Sequence, residues 1–141
     1  MLDAYRDLID ELLGAPSDVR GLAADAGGTL PPDAAGLVAE MRDRDIAVTG
    51  RLNTMLKERE PRLAAIALPE ATVPGSTDDL LSGLDTARGE LVSLLMNLTL
   101  KDWERTATHD VDGEISLADE VERHVEFDED HLRRIRAALG R

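Results

Sequence analysis

The stretch that decides the fold is Leu117–Leu139, LADEVERHVEFDEDHLRRIRAAL. At about 100° per residue, Leu117, Val121, His124, Asp128, His131, Leu132, Ile135 and Leu139 share one face, so the segment reads as a helix. That face is apolar at both ends and carries two imidazoles and a carboxylate at its centre. Burying such groups without partners is costly, so a metal, a ligand, water or one another must satisfy them. The pattern predicts a polar pocket inside a helical bundle.

Three more helices follow from the rest of the chain. The first is expected over Leu2–Leu13, with Leu2, Tyr5, Leu8, Ile9, Leu12 and Leu13 on one side. Gly14 and Pro16 are expected to stop it, with Ser17 capping a short extra turn through Leu22 and Ala23. After a loop marked by Gly27, Gly28 and Pro31, a second helix starts at Pro32 or Asp33 and runs to about Glu58, with Leu37, Met41, Val48, Leu52, Met55 and Leu56 as its stripe. Pro61–Gly75, holding Pro69 and Pro74, reads as a long connector. Ser76 and Asp79 resemble a capping pair for a third helix carrying Leu80, Leu84, Ala87, Leu91, Leu94, Leu95 and Leu98. Lys101–Gly113 reads as irregular, and Ser116 with Asp119 opens the last helix. No window alternates well enough to predict a strand. Four amphipathic helices bury their stripes only against one another, so the fold class is all-α, a four-helix bundle with a long connection.

At 141 residues the chain suits a single domain, residues 1–141, and 43% hydrophobic residues provide for a core. With one Trp, one Tyr and one Phe, that core is aliphatic. A net charge of −13 argues against nucleic acid as a partner, since phosphate binding needs clustered Lys and Arg. The absence of cysteine removes disulfides, thiolate metal sites and a cysteine nucleophile. Met1–Leu13 carries acids and lacks an apolar leader core, and no run is long enough to span a membrane. The cytoplasm is therefore the expected location.

The candidate chemistry lies in His124, Asp128 and His131. Spacings of four and three residues let each adjacent pair point at one atom. The two histidines are seven residues apart, about 10.5 Å along the axis. Metal–nitrogen bonds of about 2.1 Å would span that only at full stretch. A single ion would then use one histidine with Asp128 and a donor from another helix. A buried hydrogen-bonded His–Asp pair, or residues facing solvent at an open bundle end, satisfies the same spacing.

The segment Asp102–Ile135, DWERTATHDVDGEISLADEVERHVEFDEDHLRRI, resembles the C-terminal signature of the DinB-like superfamily. That signature has a Trp-containing turn, a Gly before the last helix and a run of the form HxxHxxxHL. The phrases LDAYRDLIDELL (2–13) and VAEMRDRD (38–45) are similar to the family's first and second helices, where many relatives have a His followed by LRDRD. The resemblance implies a four-helix bundle with one long connection. It also implies a divalent metal, zinc or nickel, held by one His of the second helix and an i, i+4 His pair of the last. Several such proteins are similar to thiol transferases using bacillithiol or mycothiol, with the thiol held as thiolate on the metal, and others resemble mycothiol-dependent isomerases.

On this sequence the pattern is broken. The second-helix His position is Glu40, the first member of the i, i+4 pair is Phe127, and only His131 survives; His124 matches a leading His outside the usual ligand set. Two readings follow for a pocket of Glu40, His124, Phe127, Asp128 and His131. In one, the metal is lost, Phe127 fills its space, no cofactor is expected, and the chain binds a small molecule or a partner. Glu40 is then a surface acid paired with Arg44. In the other, ligation shifts to Glu40, Asp128 and His131, with His124 as a further candidate donor, and a zinc- or nickel-dependent thiol S-transferase is retained. Loss is preferred, because Phe127 replaces a central ligand with bulk. A third reading is a regulatory homodimer pairing through bundle faces, with exposed leucines of the third helix supplying the contact.

Other residues have structural readings. His109 reads as a turn or capping residue and Trp103 as packing its turn against the bundle end. Asp43 and Asp45 read as surface partners of Arg42 and Arg44, with Asp45 near enough to the core to hold a buried arginine.

Overall fold

The first helix does not stop at Gly14 and Pro16. In the computed structural model, which describes residues 3–141, α1 runs over Asp3–Asp25 with Ala15, Pro16, Val19 and Ala23 all buried. Proline inside a helix removes one N–H donor and leaves the carbonyl four residues back without its helical partner. Here that carbonyl belongs to Leu12, and Arg88 donates to it at 2.6 Å. The break expected from the sequence is thus bridged by a side chain from another helix. Leu2, read as the start of this helix, lies outside the described residues.

The remaining elements are α2 (Pro32–Lys57), β1 (Arg62–Leu63), α3 (Thr77–Met96), α4 (Leu100–Trp103), β2 (Thr106–His109), β3 (Gly113–Ser116) and α5 (Leu117–Ala138). The chain has the expected all-α character, a four-helix bundle of α1, α2, α3 and α5. In their main contacts α1 and α2 each pack against both α3 and α5, so the two sequence-adjacent helices face each other diagonally. The loop over residues 26–31 makes that diagonal step, and the long connection joins the neighbours α2 and α3.

The expectation of no strands is corrected. β1, β2 and β3 form a small sheet, with β1 parallel and β3 antiparallel to β2. In the β2–β3 hairpin His109 pairs with Gly113 across a three-residue loop, and Gly113 takes φ 76°, the left-handed conformation such loops require. As expected of a turn residue, His109 accepts through Nδ1 from the amides of Val111 and Asp112. β3 runs directly into α5. Ser116 Oγ accepts from the Asp119 amide at 3.1 Å and Asp119 returns the bond at 2.8 Å, so the helix bearing the polar stripe has a defined start.

Two apolar clusters make up the core. One gathers Leu12, Val48, Leu52, Leu91, Val125 and Trp103, on whose indole Tyr5 stacks at 4.6 Å, with the sheet residues Leu63, Ala107 and Ile115. The other gathers Ala15, Met41, Leu84, Leu132 and Ile135. On α2, α3 and α5 the residues between the clusters are Asp45, Arg88 and Asp128, all buried. The bundle therefore holds a polar layer between two aliphatic halves. The leucines of α3 are buried or half-buried, leaving Met96 as its large exposed apolar side chain, so they do not form the outer face read as a homodimer contact. No helix among the described residues is long and apolar enough to cross a membrane.

Candidate functional site

Arg88 occupies the centre of the polar layer. Its Nε donates to the carboxylate of Asp45 at 3.0 and 3.1 Å, and its Nη1 and Nη2 donate to the two oxygens of Asp128 at 2.8 and 2.9 Å. With the Leu12 carbonyl, its donors engage three helices. Such bidentate charge-assisted bonds are among the stronger ones a protein makes. Burial alone would pull the Arg88 guanidinium down, but the charges and hydrogen bonds of Asp128 and Asp45 outweigh that and hold it above its ordinary value.

The network continues outward through His124. Its Nε2 lies 2.5 Å from Asp45 Oδ1 and its Nδ1 lies 2.6 Å from Arg44 Nη1. Arginine can only donate, so Nδ1 accepts and the ring proton sits on Nε2, pointing at Asp45. Two guanidiniums, two carboxylates and one imidazole form a continuous chain, Asp128–Arg88–Asp45–His124–Arg44, whose formal charges cancel. Burial holds the Arg44 guanidinium below its ordinary value, against the opposing fields of Glu120 and Asp128.

His131 stands apart from this chain. Its Nε2 meets Glu40 Oε2 at 3.1 Å, and its Nδ1 is buried without a partner. Phe127 lies between the two histidines: its ring stacks on His131 with centroids 3.8 Å apart and on His124 at 6.2 Å, and the Arg44 guanidinium lies over it at 4.8 Å. The pairing of Glu40 with Arg44 is corrected accordingly. Glu40, its side chain 38% exposed, turns to His131, and Arg44 turns to His124.

The residues read from sequence as ligands do not converge on one point. Both oxygens of Asp128 face Arg88, both nitrogens of His124 are engaged, and Phe127 offers no donor. Glu40 and His131 remain as a pair. Among the described residues no group of three or more His, Cys, Asp or Glu is disposed to hold a metal ion. The residues present do not fit the three-donor site that the resemblance implies. The five predicted pocket residues also do not line a common cavity. Glu40 borders a cleft of about 460 Å³ with Leu37, Ala71 and Arg134, whereas Asp128 borders a separate one of about 220 Å³ with Gly14, Ala15 and Leu132.

Asp45 is buried and holds an arginine, the outcome allowed for it by its position on α2, while Asp43 pairs with Arg42 at 3.0 Å. Arg88 itself was not among the predicted site residues. Its signal was present: it falls four residues after Leu84 and three before Leu91, a lone charge inside the leucine stripe of α3. Arg51, Glu120 and Arg123, which line a further cleft with Arg44, were missed because the rest of its wall comes from the connector and the hairpin.

No known protein-family profile matches the chain, and no curated protein sequence matches it. Among solved structures, the fold matches YfiT from Bacillus subtilis, described as a probable metal-dependent hydrolase with an unusual four-helix bundle topology. The TM-score is 0.77 at 16% identity, over 98% of this chain and 87% of that one. The chain shares the four-helix-bundle fold of that structure.

Proposed function

We propose that this chain is a DinB-like bundle that has given up the metal of its fold relatives and works by binding a small molecule. The reading is carried by one observation: Arg88 holds both oxygens of Asp128, while the Phe127 ring covers His131. A guanidinium then supplies the central positive charge, and the buried carboxylates are neutralised without an ion. Elemental analysis of untagged protein after dialysis against zinc and nickel tests this. Far less than one metal per chain is expected. One equivalent of either ion, lost in His131→Ala, would overturn the reading.

A second reading is a divalent-metal-dependent thiol S-transferase. The observation favouring it is the Glu40–His131 pair with its unpartnered buried Nδ1, together with the description of YfiT as a probable metal-dependent hydrolase. It requires a third donor to be recruited from solvent or from the ligand. Thiol-dependent turnover that follows added zinc would favour it over the first.

A further inference from the structure

A cavity of about 270 Å³ lies beside Arg44. Its walls are Arg44 and Arg51 of α2, Glu120 and Arg123 of α5, the connector at Ala65–Ile66, and the hairpin turn at His109 and Asp112. Three guanidiniums on one small cavity are unexpected in a chain of net charge −13. Their partners differ. Arg123 is committed to Asp112 at 2.7 Å, and Arg51 reaches Glu120 Oε2 at 3.5 Å and the Ala64 carbonyl. Arg44 donates to a histidine and lies over a phenyl ring. Among the described residues it has no carboxylate within ion-pair distance.

Glu120 supplies the second, independent observation. The residue is 1% exposed, and its Oε1 has no hydrogen-bond partner, with Arg123 Nη1 at 3.9 Å. A buried acceptor without a partner costs free energy, and Arg44, whose guanidinium meets no carboxylate directly among the described residues, lines the same cavity. At about 270 Å³ the space lies just below the usual range for drug-sized ligands and suits a molecule of a few heavy atoms.

We propose that this cavity binds a small carboxylic acid that also carries a hydrogen-bond donor, such as a hydroxy acid. The ligand's carboxylate would sit against Arg44, its flanks set by Arg51 and Arg123. Its hydroxyl would donate to Glu120 Oε1. The inference deepens the small-ligand reading and rests on it, by giving that ligand a chemical class and a place. The charge of a bound anion would offset the desolvation that holds the Arg44 guanidinium down.

Calorimetric titration of the full chain, in buffer passed over a chelating resin, tests the proposal with L-lactate, acetate and inorganic phosphate as probes. L-Lactate is expected to bind at one site, at least about tenfold more tightly than acetate, which lacks the donor, and than phosphate. Arg44→Gln should abolish L-lactate binding, and Glu120→Met should bring L-lactate down to the acetate level. Arg123→Gln, on the more exposed wall, serves if either variant fails to fold, and should weaken all carboxylates together. Equal binding of L-lactate and acetate, tighter binding of phosphate, or no binding at about 10 mM, well above a weak millimolar constant, would each overturn the proposal. Absent binding in a metal-free protein would remove this inference alone. Stoichiometric zinc would instead remove the metal-free reading.

Discussion

Asp128 presents both carboxylate oxygens to the one guanidinium of Arg88, at 2.8 and 2.9 Å, in a layer that separates the two halves of the aliphatic core. A carboxylate held in this way is not free to bind an ion, and a guanidinium so placed cannot leave without stranding two buried acids. The pair therefore links stability and function: the same contacts that close the interior decide what it can bind.

Removing the guanidinium should be severe. Arg88→Met leaves Asp45 and Asp128 buried without their cation, and breaking a buried pair in this way costs about 3–5 kcal/mol. Urea denaturation should show a loss of that size, and a loss below about 1 kcal/mol would mean that the layer is hydrated and loosely held. Replacing Arg88, Asp45 and Asp128 together by Met, Leu and Leu should recover most of the loss, since apolar groups can substitute for a buried ionic set.

Pro16 gives a prediction in which two effects offset. Replacing a proline in a helix interior by alanine is ordinarily worth about 3 kcal/mol. Here the Leu12 carbonyl already accepts from Arg88, and the pyrrolidine ring is buried. Pro16→Ala should therefore change stability by less than about 1 kcal/mol, the restored N–H being offset by lost ring contacts. A gain near the full value would show that Arg88 does not satisfy that carbonyl.

Restoring the family's donors should restore a metal. Glu40→His with Phe127→His places three imidazoles where the resemblance puts its ligands, and removes the ring stacked on His131. The double variant should bind one zinc or nickel per chain by elemental analysis. If it stays empty, the network around Arg88 and Arg44 excludes the ion by some means other than the loss of donors.

The short helix α4 carries a pH signature. The amide of Thr99, with its hydroxyl, hydrogen-bonds the Asp102 carboxylate and holds it below the usual carboxylate range. A carboxyl group depressed in the folded state adds stability above its unfolded value and loses it as pH falls through the folded one. The stability gap between the native chain and Asp102→Asn should be full near neutrality and close in acid. Thr99→Ala should cost about 1 kcal/mol. A gap that widens on acidification would contradict the capping geometry.

How much of this was legible in the sequence depended on whether a pattern was local. The polar centre of α5 was readable because His124, Asp128 and His131 share one helical face. The four helices were readable from their stripes, and the caps at Ser76 and Ser116 were in place. The partners were not, because a stripe shows what a helix buries but not what faces it: Arg88 lies 40 residues from Asp128 in sequence and 43 from Asp45. Helix α1 was cut short at Pro16 because its rescue comes from α3. The hairpin was missed because Thr106–His109 alternates over only four residues, although Asp112–Gly113 is a recognised turn signal.

The most direct test is the stability of the untagged protein with and without metal. An ion that binds only the folded chain raises its stability by about 2.7 kcal/mol at a hundredfold excess over its dissociation constant. The account predicts that saturating zinc or nickel leaves the urea midpoint of the metal-stripped protein where it was. A rise of that order, abolished by His131→Ala, would contradict it.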